Sequence, residues 1–295
     1  MGNRKLKNIL RLSRPLNLLL AALTYILGVS IAKYLGNPFS QESFWLGLVA
    51  VVLAQASMSL LAEVYRPENE PIIENETLLE RKTVREAALY ISIASLAVNA
   101  VIAFLLYSSG HLPISSFVFL LLSLLIILVY SIPPLRLLNR GFGEFLLAAH
   151  IGYVIPSIGF LFQTGEYHRL LPTLAIPLTA LGSAYFLILN FPTFASDQKY
   201  QRRTMLRLLT WERAVPLHHS LIIAAYILFL ASSVINYSLS LLWPAFLTLP
   251  FGIFQIILLR AIALGNRPNW ALLTVTALAV FGLTAYFLTL TFWLR

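Results

Sequence analysis

Cysteine is absent from this 295-residue chain, and aspartate occurs only once, at Asp197. The absence of cysteine excludes disulfides, thiol nucleophiles and cysteine-based metal sites. Charged residues make up 11% of the chain, whereas they make up about 25% of an average soluble domain. Hydrophobic residues make up 59%, so the chain is expected to lie in a membrane.

Long apolar runs recur along the whole sequence. A helix needs roughly 20 mostly apolar residues to cross the hydrocarbon core of a bilayer. The pattern therefore predicts an all-α integral membrane protein with nine transmembrane helices and no separate soluble domain. The predicted helices lie at about 15–35, 43–65, 86–108, 113–131, 142–163, 170–194, 215–235, 239–260 and 269–292. The first run is too long for a signal peptide, and we expect it to be a retained helix.

The positive charge is distributed unevenly between the two sides of the predicted bundle. Of the 21 Lys and Arg residues, 18 fall on the N-terminal arm and alternate loops, and only Lys33, Arg169 and Arg295 fall on the other side. Positively charged loops remain in the cytoplasm. We therefore expect a cytoplasmic N-terminus, an external C-terminus and a location in the cytoplasmic membrane. The net charge of +9 is then explained without a nucleic-acid partner.

Acidic and basic residues gather in two long loops on the predicted cytoplasmic side, after helices 2 and 6. Because these helices are four apart, the single domain 1–295 is expected to contain two related four-helix units, at about 15–131 and 142–260, followed by the last helix at 269–292. Carboxylates that hold Mg²⁺, together with arginines and lysines, are typical of diphosphate sites. The alternative is an ordinary solvated face whose arginines anchor the protein to anionic lipid heads.

Three stretches resemble the UbiA superfamily of intramembrane prenyltransferases. The opening LSRPLNLLLAALTYILG is similar to the first helix of that family. YSIPPLRLLNRGFGEFLLAAHIGYVIPSIG, residues 130–159, resembles its menaquinone, tocopherol and chlorophyll branches, and NFPTFASDQKYQRRTML, residues 190–206, resembles its second acidic motif. The resemblance implies nine helices around a central cavity, with two Asp-rich motifs that bind Mg²⁺ and a prenyl diphosphate.

Both acidic motifs depart from the family pattern. The second keeps Asn190 and Asp197 but has Thr193 where relatives have aspartate. The first motif falls near SLLAEVYRPENEPI. One alignment without gaps places Ala62, Glu63, Arg66 and Glu70 at its key positions. A second alignment, shifted by four residues, places Ala62 and Arg66 at the two later aspartate positions of the motif. Carboxylates are thus fewer, and an arginine stands among them.

The resemblance implies the following site. At most one Mg²⁺ would be bound, by Asp197, Glu63 and Glu70, with Glu68 as a reserve ligand. The catalytic residues would be the same three carboxylates together with Asn190. The diphosphate would be bound by Arg66, Tyr130, Arg136, Arg140, Lys199, Arg202 and Arg203. Each of these also has a structural interpretation: Tyr130 fits an aromatic belt and the arginines fit the positive-inside bias, while a salt bridge to Arg202 would explain Asp197. Glu144 fits a helix N-terminus, and His150 fits a hydrogen-bonded interior position.

Three functions remain open. The first is transfer of an isoprenoid chain from a prenyl diphosphate to a hydrophobic acceptor of the aromatic, quinone-precursor or chlorin type. The second is a catalytically silent subunit that binds a prenylated lipid, quinone or pigment within a larger membrane complex. The third, a transporter, ranks last because intramembrane charge pairs are missing from the sequence pattern.

Overall fold

The computed structural model describes residues 2–68, 70–72, 76–110, 112, 114–235 and 239–295, with side chains from Lys7 onward except that of Ile235. Within these residues, nine helices are long and apolar enough to cross a membrane. The predicted all-α fold is therefore confirmed. The polar cavity described below lies where several of these helices end.

A short helix, α1 (Gly2–Leu12), precedes the first span, and another, α8 (Asn190–Lys199), separates the sixth span from the seventh. The spans are α2 (Pro15–Tyr34), α3 (Gln41–Val64), α4 (Leu78–Ser108), α5 (Ile114–Ser131), α6 (Gly143–Thr164), α7 (Leu170–Ile188), α9 (Met205–Val234), α10 (Leu239–Ala263) and α11 (Trp270–Leu294).

Two predicted spans begin well before the expected residue. The span expected to start at residue 86 begins at Leu78, because Thr77 and Glu80 form a capping box there that satisfies the free N–H groups of the first turn. The span expected at 215 begins at Met205. Its first ten residues include Arg207, Glu212 and Arg213, so hydropathy alone assigned them to a loop. Thr210, at φ 62°, interrupts the regular helix within this charged section.

The sixth predicted span, in contrast, is shorter than expected. The apolar pattern ran to residue 194, but α7 ends at Ile188 and α8 begins at Asn190. The polar side chains of the Asp197 motif therefore project from a separate short helix. This arrangement places them beside the ends of α3, α5 and α6.

Helices α2 and α6 pack closely through two glycines. A Cβ atom at Gly28 would lie 1.9 Å from the carbonyl oxygen of Pro156, and one at Gly159 would lie 2.4 Å from the carbonyl oxygen of Tyr25. Small residues let the backbones of membrane helices approach each other in this way. The contact places α2, and hence Arg14 just before it, against the centre of the bundle.

Gly28→Ala is expected to destabilise the protein by about 1–3 kcal/mol, because backbone atoms must move to admit the methyl group. Thermal unfolding of the purified protein in detergent measures the effect. Gly282→Ala is the control, since its Cβ would meet nothing closer than 3.6 Å. Equal stability of the Gly28 and Gly282 variants would contradict the proposed packing.

Candidate functional site

A cavity of about 140 Å³ lies where α3, α5 and α7 end and α6 begins. One part of its wall is charged or polar and another part is apolar. The charged and polar residues are Arg14, Glu63, Arg66, Glu70, Tyr130, Arg136, Asn139, Glu144, Asn190, Thr193, Asp197, Arg202 and Thr204, and the apolar ones are Ala62, Leu138, Leu147, Phe186 and Leu189. Such a cavity suits a charged group attached to an apolar body.

Guanidinium groups lie between the buried carboxylates of this cavity. Glu63, Glu70 and Asp197 are only 4%, 2% and 1% exposed. Arg66 contacts Glu63 through Nη2 and Glu70 through Nη1, the second contact at 2.8 Å. Arg202 contacts Glu70 through Nη2 and Asp197 through Nη1, the second contact at 3.1 Å. The result is an alternating chain of acidic and basic groups.

Arg14 extends this chain from the start of the first span. Its Nη2 lies 3.3 Å from Glu63 Oε1, and its Nη1 donates to the Tyr130 hydroxyl at 3.4 Å. Desolvation alone would lower the pKa of Arg14, but its electrostatic interactions and hydrogen bonds with Tyr130 and Glu63 hold that pKa above its ordinary value. At the other end, Thr193 donates a hydrogen bond of 3.0 Å to Asp197 Oδ2. We call Arg14, Glu63, Arg66, Glu70, Arg202 and Asp197 the ion-pair chain.

A second group of polar contacts joins α6, α8 and α9. Asn190 Nδ2 donates to Glu144 Oε1, which also accepts from the backbone N–H of Met205 at 3.1 Å. The amide nitrogen of Asn190 is thus engaged with a carboxylate, and the catalytic role expected for Asn190 remains a prediction. Glu144 opens α6, where the helix dipole favours an acidic side chain, so it serves both as a helix-end residue and as part of the cavity wall.

Two arginines of the cavity have left-handed backbone conformations. Arg14 has φ 55° and Arg136 has φ 31°. Such conformations cost on the order of 1–3 kcal/mol for residues other than glycine and concentrate at functional sites. Surrounding contacts must therefore hold both side chains in place.

Among the described residues, four buried polar atoms of the cavity wall make no hydrogen bond: Arg136 Nε, Thr204 Oγ1, Glu144 Oε2 and Glu63 Oε2. Of these, Glu63 Oε2 forms an ion pair with Arg66. Arg136 donates from Nη2 to the Ala62 carbonyl at 3.2 Å. Burial lowers the pKa of Arg136, and the nearby charges of Glu63 and Glu70 offset this effect only in part. An anion in the cavity would stabilise the Arg136 cation and accept from its Nε–H group.

The carboxylates as placed do not fit a magnesium site. Mg²⁺ requires near-octahedral oxygen ligands at about 2.1 Å, but Arg66 and Arg202 occupy the positions between Glu63, Glu70 and Asp197. Across the described residues, no three acidic or histidine side chains form a group that could hold a metal ion. Binding of one Mg²⁺ by these three carboxylates therefore remains a prediction, and their ion pairs with Arg66 and Arg202 argue against it.

Eight of the eleven expected site residues line the cavity: Glu63, Arg66, Glu70, Tyr130, Arg136, Asn190, Asp197 and Arg202. The other three, Arg140, Lys199 and Arg203, are exposed and lie outside its wall. Arg140 donates to the Pro134 carbonyl at 2.8 Å, and Lys199 lies 5.1 Å from the Tyr200 ring centre. Glu68, the reserve ligand, is also exposed.

The sequence interpretation did not assign Arg14, Glu144 or Thr204 to the site, although all three line the cavity. For Arg14 a signal existed in the Arg-Pro pair at the start of the first span. Pro15 occupies the first turn of α2, where its missing N–H costs nothing, and this fixes the preceding arginine at the helix entrance. For Thr204 the signal was its place in the stretch 190–206 that resembles the second acidic motif.

Comparison with protein families settles the relationship of the chain to known proteins. The model of the UbiA prenyltransferase family matches residues 21–271. The chain belongs to this family. The resemblance inferred from the three sequence stretches is thereby confirmed, and this UbiA-family chain is an integral membrane protein.

Solved structures agree on the fold. A UbiA homologue from Archaeoglobus fulgidus bound to GPP and Mg²⁺ shares 16% identity, with 95% of this chain and 99% of that chain covered and a TM-score of 0.66. Digeranylgeranylglyceryl phosphate synthase shares 15% identity, with 99% and 98% covered and a TM-score of 0.67. An apo homologue from Aeropyrum pernix K1 shares 16% identity, with 90% and 96% covered and a TM-score of 0.55. None of the curated proteins matches this sequence.

Arg202→Gln is expected to lower the free energy of unfolding by on the order of 3 kcal/mol, because two buried carboxylates lose a bridging cation. Arg203→Gln is a matched control, since Arg203 is the neighbouring residue and is exposed; its effect should stay within about 0.5 kcal/mol. Denaturation in mixed micelles measures both variants. Equal losses would show that Arg202 does not hold the ion-pair chain together.

Proposed function

We propose that this UbiA-family protein binds the head group of an isoprenoid diphosphate in the charged cavity and transfers its prenyl chain to a hydrophobic acceptor. The acceptor class is an aromatic, quinone-precursor or chlorin-like molecule, and the site faces the cytoplasmic side of the cytoplasmic membrane. The observation that carries the proposal is the convergence of four arginines, Arg14, Arg66, Arg136 and Arg202, on one partly apolar cavity.

The unpaired atoms of the cavity support an anionic head group. Arg136 Nε and the Thr204 hydroxyl are donors without partners, and phosphate oxygens are strong acceptors for such groups. Arg66 and Arg202 each present five N–H donors, so groups that contact carboxylates still have hydrogens for a ligand. Leu147, Phe186 and Leu189 in the same wall provide an apolar surface for the first carbons of an isoprenoid chain.

Transfer begins when the bond between the allylic carbon and the diphosphate oxygen breaks, and the electron pair leaves with the diphosphate. The acceptor then forms a bond to the prenyl cation and releases a proton. The protein must stabilise the charge that grows on the leaving oxygen. In our proposal, guanidinium groups supply this positive charge, because an ion at Glu63, Glu70 and Asp197 would have to displace Arg66 or Arg202 from buried ion pairs.

A catalytically silent relative is the second candidate, and one observation favours it. Each carboxylate of the ion-pair chain already contacts an arginine, which makes the charged wall self-compensating. Such a wall suits a protein that holds a prenylated molecule without cleaving it, as a subunit of a membrane complex. Binding alone does not separate the two candidates, whereas diphosphate release does.

Arg136→Gln is expected to weaken binding of a non-cleavable geranylgeranyl diphosphate analogue by about 10- to 100-fold, since a hydrogen bond to a charged group contributes about 1.5–3 kcal/mol. Arg140→Gln, from the same loop but outside the cavity, should bind with unchanged affinity. Titration of the purified protein in nanodiscs gives both constants. An equal loss of affinity in the two variants would mean that the analogue responds only to the overall positive charge of this side of the protein.

Release of inorganic diphosphate from farnesyl or geranylgeranyl diphosphate tests transfer itself. With a membrane extract as the source of acceptor, the wild-type protein should release diphosphate, and Arg136→Gln should release it much more slowly at limiting substrate concentration. Analogue binding without release, for every chain length, would overturn the transferase proposal in favour of the silent one. Absence of analogue binding would overturn the transferase proposal, because transfer requires the diphosphate head group to bind in the cavity.

A further inference from the structure

A second cavity, of about 370 Å³, lies between α3, α4, α5 and α6. It is partly open at the outer surface of the bundle, where its lining residues Leu121 and Leu124 are exposed. We call it the deep cavity, because it lies farther from the helix ends than the charged one. It shares no lining residue with the charged cavity. Its size falls in the range of small-molecule sites, about 300–1,000 Å³. Its wall is apolar except for two side chains, Asn99 of α4 and Ser123 of α5.

Asn99 has no partner for either end of its amide. Both Nδ2 and Oδ1 are buried, and neither makes a hydrogen bond within the described structure. The residue lies within the span α4, on the same helix face as Leu96 and Ala103, which line the same cavity. Burial of an amide without a partner is costly, and a polar group inside a membrane span indicates a functional site.

Ser123 is the cavity end of a buried hydrogen-bond relay. Its Oγ lies 2.8 Å from His150 Nε2, and His150 Nδ1 lies 3.1 Å from Gln55 Oε1. A carbonyl oxygen only accepts, so in the neutral tautomer that satisfies this contact His150 donates from Nδ1, and its Nε2 accepts the Ser123 hydroxyl hydrogen. The lone pairs of Ser123 Oγ therefore remain able to accept a hydrogen bond from a ligand.

The backbone is irregular where this relay begins. Residues His150–Val154 form a π-helical turn inside α6. Such turns occur frequently at functional sites. His150 and Gln55 are both fully buried, so the relay is held within the bundle rather than at the lipid surface.

We infer that this cavity binds an apolar molecule that carries a hydroxyl group, such as a lipophilic alcohol or phenol. A hydroxyl accepts a hydrogen bond from Asn99 Nδ2 and donates one to Asn99 Oδ1 or to Ser123 Oγ. A plain hydrocarbon chain would fill the same volume and leave the Asn99 amide unsatisfied. The inference does not depend on the proposed transfer reaction.

The position of the relay relates this site to the charged cavity. Ser123, Ile127 and Tyr130 follow one another at helix spacing along one face of α5. Ser123 and Ile127 line the deep cavity, whereas Tyr130 lines the charged one. Seven residues of helix span about 10 Å, so the bound hydroxyl would lie about that far from Tyr130 along the helix axis.

A matched pair of photoreactive probes tests the inference: a long-chain 4-alkylphenol with a diazirine in its chain, and the corresponding 4-alkyltoluene. Each is titrated into wild-type protein in nanodiscs, irradiated and located by peptide mass spectrometry. The phenol should label the peptides of α4 and α5 that line the deep cavity at about fivefold lower concentration than the toluene. Equal labelling by the two probes would overturn the inference, since the cavity would then hold any apolar chain.

Variants assign the effect to the two polar side chains. Asn99→Leu and Ser123→Ala should each reduce the preference for the phenol, while labelling by the toluene probe persists. Ser95→Ala and Ser116→Ala are controls, because both serines lie on the same two helices outside the cavity wall, and these variants should keep the preference. Retention of the preference in both Asn99→Leu and Ser123→Ala would overturn the assignment. If either variant fails to fold, the comparison of probes on wild-type protein still decides.

Discussion

Three buried carboxylates and the arginines between them determine how this site is built. Glu63 comes from the end of α3, Glu70 from the following loop and Asp197 from α8. Burial of such charges without partners is costly. Arg66 and Arg202 make the arrangement possible, and Arg14 ties it to the first span. The ion-pair chain thus connects the ends of several helices and sets the shape and charge of the cavity that they enclose.

The ion-pair chain also affects how the site can bind a phosphate group. A guanidinium group is a fixed cation with several donors, and it recognises phosphate without a metal ion. Where a metal site would need open carboxylates, this protein presents paired ones. Arg136 differs from the other cavity arginines, because it contacts a carbonyl and leaves Nε unpaired. It is therefore the cation best placed to meet an incoming anion.

Much of the fold was predictable from the sequence, because each span carries its own apolar run. The sequence also indicated most of the charged cavity, since polar residues at the ends of apolar helices must meet on one face. Other features depend on three-dimensional packing. The division between α7 and α8 was hidden by apolar residues that continue past Ile188. The exposure of Arg140, Lys199 and Arg203 was equally hidden, because sequence spacing alone does not separate a cavity arginine from its solvated neighbour.

The deep cavity illustrates the same limit of sequence patterns. Gln55, Asn99, Ser123 and His150 are scattered over four spans, and each alone is compatible with an ordinary interior position. Only the three-dimensional structure shows that Gln55, His150 and Ser123 form a hydrogen-bond relay. It also shows that Asn99 lines the same cavity as Ser123 and has no hydrogen-bond partner among the described residues. Helix α5 contributes to both cavities. Tyr130, near its end, lines the charged cavity, and Ser123, within the span, lines the deep one.

Calorimetric titration with a non-cleavable prenyl diphosphate analogue, in EDTA and again in excess Mg²⁺, tests the central claim that arginines supply the charge for the head group. The account predicts tight binding in EDTA, with affinity that changes by no more than about threefold, or roughly 0.7 kcal/mol, when Mg²⁺ is added. Binding that appears only with Mg²⁺ would contradict it, since the carboxylates would then have exchanged their arginines for a metal ion.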